Sequence, residues 1–203
     1  MKSIATTTLL ALLLSASLAH AAGPDADGDG VPDAAEPLLH TDPMNPDTDG
    51  DGQNDLADNA PVVAPDPIIQ TGTPAPYRIG EVLVENNVDP ATHKDAPDHL
   101  EIQVLNDGNV DLSNFTLYYT FTDADSGDTE AYIVRPTVAI AATGEARIHV
   151  DDGTASGHPR ANPNSIYVTS LAAKHVTVAL QADGFQPITA TVEKDAGGAE
   201  AAD

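Results

Sequence analysis

The chain contains no cysteine and no tryptophan, and its 203 residues hold only 8 Lys and Arg against 32 Asp and Glu. Without thiols there is no disulfide scaffold, thiolate zinc site, iron–sulfur cluster or cysteine nucleophile, so a bound metal must be held by oxygen or imidazole. A formal charge of −24 repels phosphate backbones and anionic lipids, which argues against nucleic acid as a partner. Aromatic residues make up only 4%, so a core must be built mainly from Val, Ile, Leu and Ala. No apolar run reaches the ~20 residues needed to cross a bilayer as a helix. The length fits one ordinary domain with a smaller appendage.

The amino terminus reads as an export signal. Lys2 precedes an apolar run from Ile4 to Leu14, and Ala19, His20 and Ala21 supply the small-x-small pattern that a signal peptidase cleaves, here after Ala21. The expected location is secreted, cell-surface or periplasmic, with residues 1–21 removed. Four compositional zones follow. Residues 22–60 are dense in Asp, Gly, Asn and Pro; residues 61–76 carry Pro61, Pro65, Pro67, Pro74 and Pro76. Those prolines predict an extended, semi-rigid spacer between two modules. Residues 77–193 alternate apolar stretches with turns, and residues 194–203 form a patternless tail expected to be disordered.

The acidic zone spells one pattern twice. Asp25, Asp27, Asp29, Gly30, Asp33 and Glu36 occupy positions 1, 3, 5, 6, 9 and 12 of one window, and Asp47, Asp49, Asp51, Gly52, Asp55 and Asp58 occupy the same positions of a second. Alternate carboxylates on a tight loop converge on one point, glycine permits the sharp turn, and Ca²⁺ takes six to eight oxygens at ~2.3 to 2.6 Å. Val31 and Gln53, at position 7, would each offer a backbone carbonyl. Carboxylates this crowded repel one another without a cation, so metal binding and local folding are expected to be coupled. Pro32 and Pro37 oppose the flanking helices of a paired-helix calcium sensor.

These residues resemble a known family. DADGDGVPD at Asp25 to Asp33, HTDPMNPDTDGDGQND at His40 to Asp55 and DNAP at Asp58 to Pro61 are similar to thrombospondin type 3 repeats of bacterial exported proteins. The resemblance implies aspartate-rich segments wound around calcium with little regular secondary structure. It implies Asp25, Asp27, Asp29 and Asp33 as ligands in one unit and Asp47, Asp49, Asp51 and Asp55 in the next, with Asp42 as a bridging ligand. The family's frequent cysteine in the closing motif is Ala60 here, which implies stronger dependence on metal.

Beyond the prolines the apolar period becomes two. Ile79, Val82 and Val84; Leu100, Ile102 and Val104; Phe115, Leu117, Tyr119 and Phe121; Tyr132 and Val134; Ile148 and Val150; Ile166 and Val168; Val176, Val178 and Leu180; and Ile188 and Val192 mark strands. Turn sequences lie between them, including Asn106 to Asn109 and Asp123 to Asp128. Seven to nine short strands predict an all-β, immunoglobulin-like β-sandwich preceded by a small irregular calcium-binding segment.

IGEVLV at Ile79 to Val84, HLEIQVLNDG at His99 to Gly108, VDLSNFTL at Val110 to Leu117, AIAATGEARIHV at Ala139 to Val150 and VTVALQADG at Val176 to Gly184 resemble the lamin-tail domain. That implies an accessory or binding sandwich with no catalytic residues, although Phe115 stands where the family usually has Trp. Asn106 to Thr122 also looks like part of a cellulose-binding-type carbohydrate module. There Tyr118 is the candidate for stacking on a sugar ring; the other reading packs it against the covering loop or a neighbouring strand.

No catalytic constellation is visible. The histidines lack metalloprotease spacing and there is no nucleophile elbow. His93 and His99 flank Asp95 and Asp98, a conceivable metal site without a third ligand of fixed position. Glu81 and Glu101 alternate with core residues and are expected to face solvent. The expectation is a non-enzymatic exported calcium-binding protein whose sandwich is an adhesion or interaction module for an extracellular protein or polysaccharide. The alternative is a carbohydrate-binding module on a calcium-stiffened linker.

Overall fold

A computed structural model describes residues 23–84 and 100–197. The predicted signal segment, the His93, His99, Asp95 and Asp98 group and the last six residues lie outside the described residues.

Two antiparallel sheets pack face to face. The smaller contains β1 (Tyr77–Leu83), β2 (Leu100–Asn106) and β5 (Glu145–Val150) in the order β1-β2-β5. The larger contains β3 (Phe115–Asp123), β4 (Thr129–Val134), β6 (Lys174–Ala182) and β7 (Ile188–Lys194) in the order β4-β3-β6-β7. The fold is an all-β sandwich. Strict alternation in β3 buries Phe115, Leu117, Tyr119, Phe121 and Asp123 and turns the residues between them to the other face. Opposite them, Ile102, Val104, Ile148 and Val150 are fully enclosed. Tyr119 stacks on Tyr132 with centroids 5.2 Å apart, and Phe121 lies 5.1 Å from Tyr167.

A buried amide organises one end. Asn106, 2% exposed, donates from Nδ2 to the carbonyls of Val110, Ile140 and Ala141 at 2.7, 3.3 and 3.0 Å. Its Oδ1 accepts from Gly108 N–H at 3.0 Å. One side chain thereby satisfies polar backbone groups where the chain leaves β2 for β3.

Three expectations need correction. Ile166 and Val168 do not form a strand: Ile166–Thr169 is a single helical turn, α2. The connection from β5 to β6 must cross between sheets, and the turn buries the consecutive Ile166 and Tyr167 together, which alternation does not allow. Glu101 does not face solvent. It is 4% exposed beneath Arg147, which hydrogen-bonds to it, with His149 Nδ1 3.5 Å away. Because β2 is flanked on both sides, the long Arg147 side chain can lie across it. Glu81, on the edge strand β1, does remain largely exposed.

The proline-rich residues 61–76 do not hold the acidic segment away from the sandwich. Ala131 N–H donates to Val62 O at 2.9 Å and its carbonyl accepts from Ala64 N–H at 2.9 Å. Farther on, Thr73 bonds to Gly184 and Gln186 at 3.1 and 2.7 Å. A chain with few backbone donors can still lie along a sheet margin through the residues between its prolines. Of the tail, residues 194–197 are placed: Lys194 is 1% exposed and donates to the carbonyls of Asp195 and Gly197. Among the described residues, no helix is long and apolar enough to cross a membrane.

Candidate metal centre

The two acidic windows fold into near-identical loops. In the first, Asp25 Oδ1 and Oδ2 accept from Gly28 and Gly30 N–H at 2.8 and 3.2 Å; in the second, Asp47 accepts from Gly50 and Gly52 at 3.0 and 2.9 Å. Asp27 and Asp49 each accept from the residue two positions on, as do Asp29 and Asp51. Asp33 and Asp55 close the loops by accepting from Ala26 and Thr48 N–H, both at 2.8 Å. The paired glycines share left-handed φ values, +79° at Gly28 and Gly50 and +100° and +99° at Gly30 and Gly52. A side chain at these positions would be strained, which is why the spacing requires glycine.

Within each loop the carboxylates converge. Oxygens of Asp25, Asp27 and Asp29 lie within 4.8 Å of one another, as do those of Asp47, Asp49 and Asp51. A third group joins the loops: Asp29 and Glu36 from the first meet Asp55 from the second, all buried and within the same 4.8 Å. Glu36 gets there on the single helical turn α1 (Glu36–Leu39), which begins beside Pro37 and ends at left-handed His40. Asp29 belongs to both the first and the third group, so it could bridge two ions.

These groups leave oxygens without protein partners. Glu36 is fully buried and neither carboxylate oxygen is hydrogen-bonded; Asp27, Asp29 and Asp49 each leave Oδ2 in the same state. Burial, reinforced by Asp27, Asp29, Asp33 and Asp55, pushes the Glu36 carboxyl up to about 7. Burial likewise takes Asp49 up to about 7, with Asp51, Asp58 and Asp47 adding repulsion, and it raises Asp27 and Asp55. Buried carboxylates need a proton or a cation. A donor set of oxygens alone, with several anionic members, suits a hard divalent cation of the size of Ca²⁺.

Some residues read as ligands stay outside the three groups. Asp33 is engaged in closing its loop. Asp42 is 1% exposed, but Arg160 takes both its oxygens, from Nε at 2.5 Å and Nη2 at 3.1 Å. Asp58, the position-12 counterpart of Glu36, accepts from Ala60 N–H instead. The Glu36 group is completed by Asp55 of the next unit, and no third acidic unit follows Asp58 to complete another. Val31 is buried; Gln53 is exposed and donates its side-chain amide to Asp51.

Sequence reasoning missed a polar seam that fixes the acidic segment to the sandwich. Besides Arg160 on Asp42, Asn162 donates to His40 O and Asn164 to Thr41 O, both at 2.6 Å, and His40 Nδ1 lies 3.5 Å from Glu130. Asp49 O accepts from Ile133 N–H at 2.7 Å. Tyr118, the candidate for sugar stacking, is half-buried and donates to Ala64 O at 3.4 Å, so residues of the proline-rich strap cover it.

No family model and no curated protein matches the chain. Among solved structures it is similar, at 14% identity and a TM-score of 0.29, to the Pseudomonas fluorescens alkylpurine DNA glycosylase AlkC bound to DNA containing an abasic site analog. That match covers 60% of this chain and 31% of the glycosylase, and a likeness this slight carries no argument about function.

Proposed function

We propose that the protein is a non-enzymatic, exported calcium-binding protein. In this reading a pair of thrombospondin type 3-like loops is folded around the ion, and a lamin-tail-like sandwich serves as an interaction or adhesion module. The observation that carries the reading is the meeting of Asp29, Glu36 and Asp55, three buried carboxylates from two loops, with three of their oxygens lacking any protein partner. Like charges converge in a buried space at a large cost in free energy, and a divalent cation reverses its sign. The regular loops support the same reading, because each turns its backbone N–H groups onto one side of its carboxylates and leaves other oxygens free.

Calcium titration of the chain from residue 22 onward, followed by calorimetry, tests this. Binding is expected with a dissociation constant at or below ~10⁻³ M, the weak end for extracellular calcium modules. Glu36→Gln and Asp29→Asn should each weaken it. Absence of binding at millimolar calcium, or unchanged binding in both variants, would refute the proposal.

A further inference from the structure

We infer that metal occupancy of the acidic loops locks them onto the sandwich and thereby closes the free edge of β4; this rests on the calcium-binding reading above. In an antiparallel ladder the N–H and C=O of one residue point to the same side. Ala131 gives both groups to Val62 and Ala64, so that side of β4 faces away from β3, and Ile133, two residues on, faces the same way. The group that caps Ile133 N–H is the carbonyl of Asp49. Asp49 is therefore a member of the second carboxylate group and an edge cap of the sheet at once.

The approach is close enough to demand one loop conformation. A Cβ on Gly50 would lie 2.1 Å from the Ile133 carbonyl oxygen, so the backbone meets the strand only where glycine stands. The first loop is joined to the same face through the stretch that follows Glu36: His40 beside Glu130, Thr41 under Asn164 and Asp42 in the grip of Arg160. Both loops thus carry carboxylate groups and sandwich contacts together, the second in Asp49 itself and the first through the residues just after Glu36. If the loops need a cation to hold that shape, the docked state binds it more tightly than the undocked state, and linkage makes the effect reciprocal. An uncovered β4 would present unpaired backbone groups on a strand reading Ala131-Tyr132-Ile133-Val134, the kind of edge that accepts another strand.

Hydrogen exchange of the intact protein, read at the Ile133 amide with calcium and with a chelator, tests the lock beside a calorimetric titration. Calcium is expected to slow Ile133 exchange by about 5-fold to 150-fold, the usual range of coupling between sites, while Leu117 in the core stays protected in both conditions. Arg160→Ala, which touches neither loop carboxylate group, should weaken calcium binding about fivefold or more. Asn164→Ala should act in the same direction, and protection of Leu117 shows that both variants remain folded. Normal calcium binding with unchanged Ile133 exchange and wild-type affinity in both variants would overturn the lock and leave calcium binding standing. A titration without binding would overturn both.

Discussion

Arg160 holds Asp42 through two hydrogen bonds, at 2.5 and 3.1 Å, across 118 positions of sequence. The carboxylate is 1% exposed, so in that buried place the guanidinium is its charge partner. Removing one member of such a pair leaves a desolvated charge. Arg160→Ala should cost about 3 kcal/mol in calcium-saturated protein, whereas the Asp42→Ala/Arg160→Ala double variant should cost clearly less than the sum of the single changes. Urea denaturation of the four proteins measures the difference, and strict additivity would show that the pair contributes no coupling.

Asn106 makes a second, independent test, far from the acidic loops. Replacing it by leucine keeps the bulk and strands the carbonyls of Val110, Ile140 and Ala141. The expected loss is about 3 kcal/mol, unaffected by calcium. A loss below about 0.5 kcal/mol would mean that water or a small backbone shift satisfies those carbonyls.

The metal-free protein should weaken as pH rises from about 4.5 towards 7. Glu36 and Asp49 have folded-state values of about 7 against ordinary values of 4.5 and 3.8. Between those limits the folded state binds more protons than the unfolded state, so stability present at low pH is lost as pH climbs through the window. Denaturation midpoints in chelator at pH 4.5, 5.5, 6.5 and 7.5 should fall in that order. Saturating calcium should abolish the fall at the upper end, because the ion replaces the proton. Midpoints in chelator that rise over pH 5.5 to 7.5 would contradict the burial of these two carboxyls.

The alternating apolar residues of β3 and β6 were legible because each faces a core on one side only, and the repeated aspartates were legible because a loop of fixed shape needs carboxylates and glycines at fixed offsets. What lay hidden depends on residues distant in sequence. Nothing local says that Asp55 reaches the Asp29 and Glu36 of the preceding unit, since that follows from how the loops stack. The proline-rich stretch reads as a spacer because proline stiffens a chain, but a stiff chain can equally lie flat along a sheet. One signal did point to the docking. Ala131 to Val134 are four consecutive apolar residues where a one-sided strand would alternate, and Ile133 proves to be 8% exposed yet outside the sandwich core. Its cover is the acidic segment.

A crystal grown in saturating calcium and measured for anomalous scattering puts the central claim to the most direct test. A calcium peak is expected at ~2.3 to 2.6 Å from oxygens of Asp29, Glu36 and Asp55 together. A well-ordered structure with those side chains in place and no calcium among them would contradict the account.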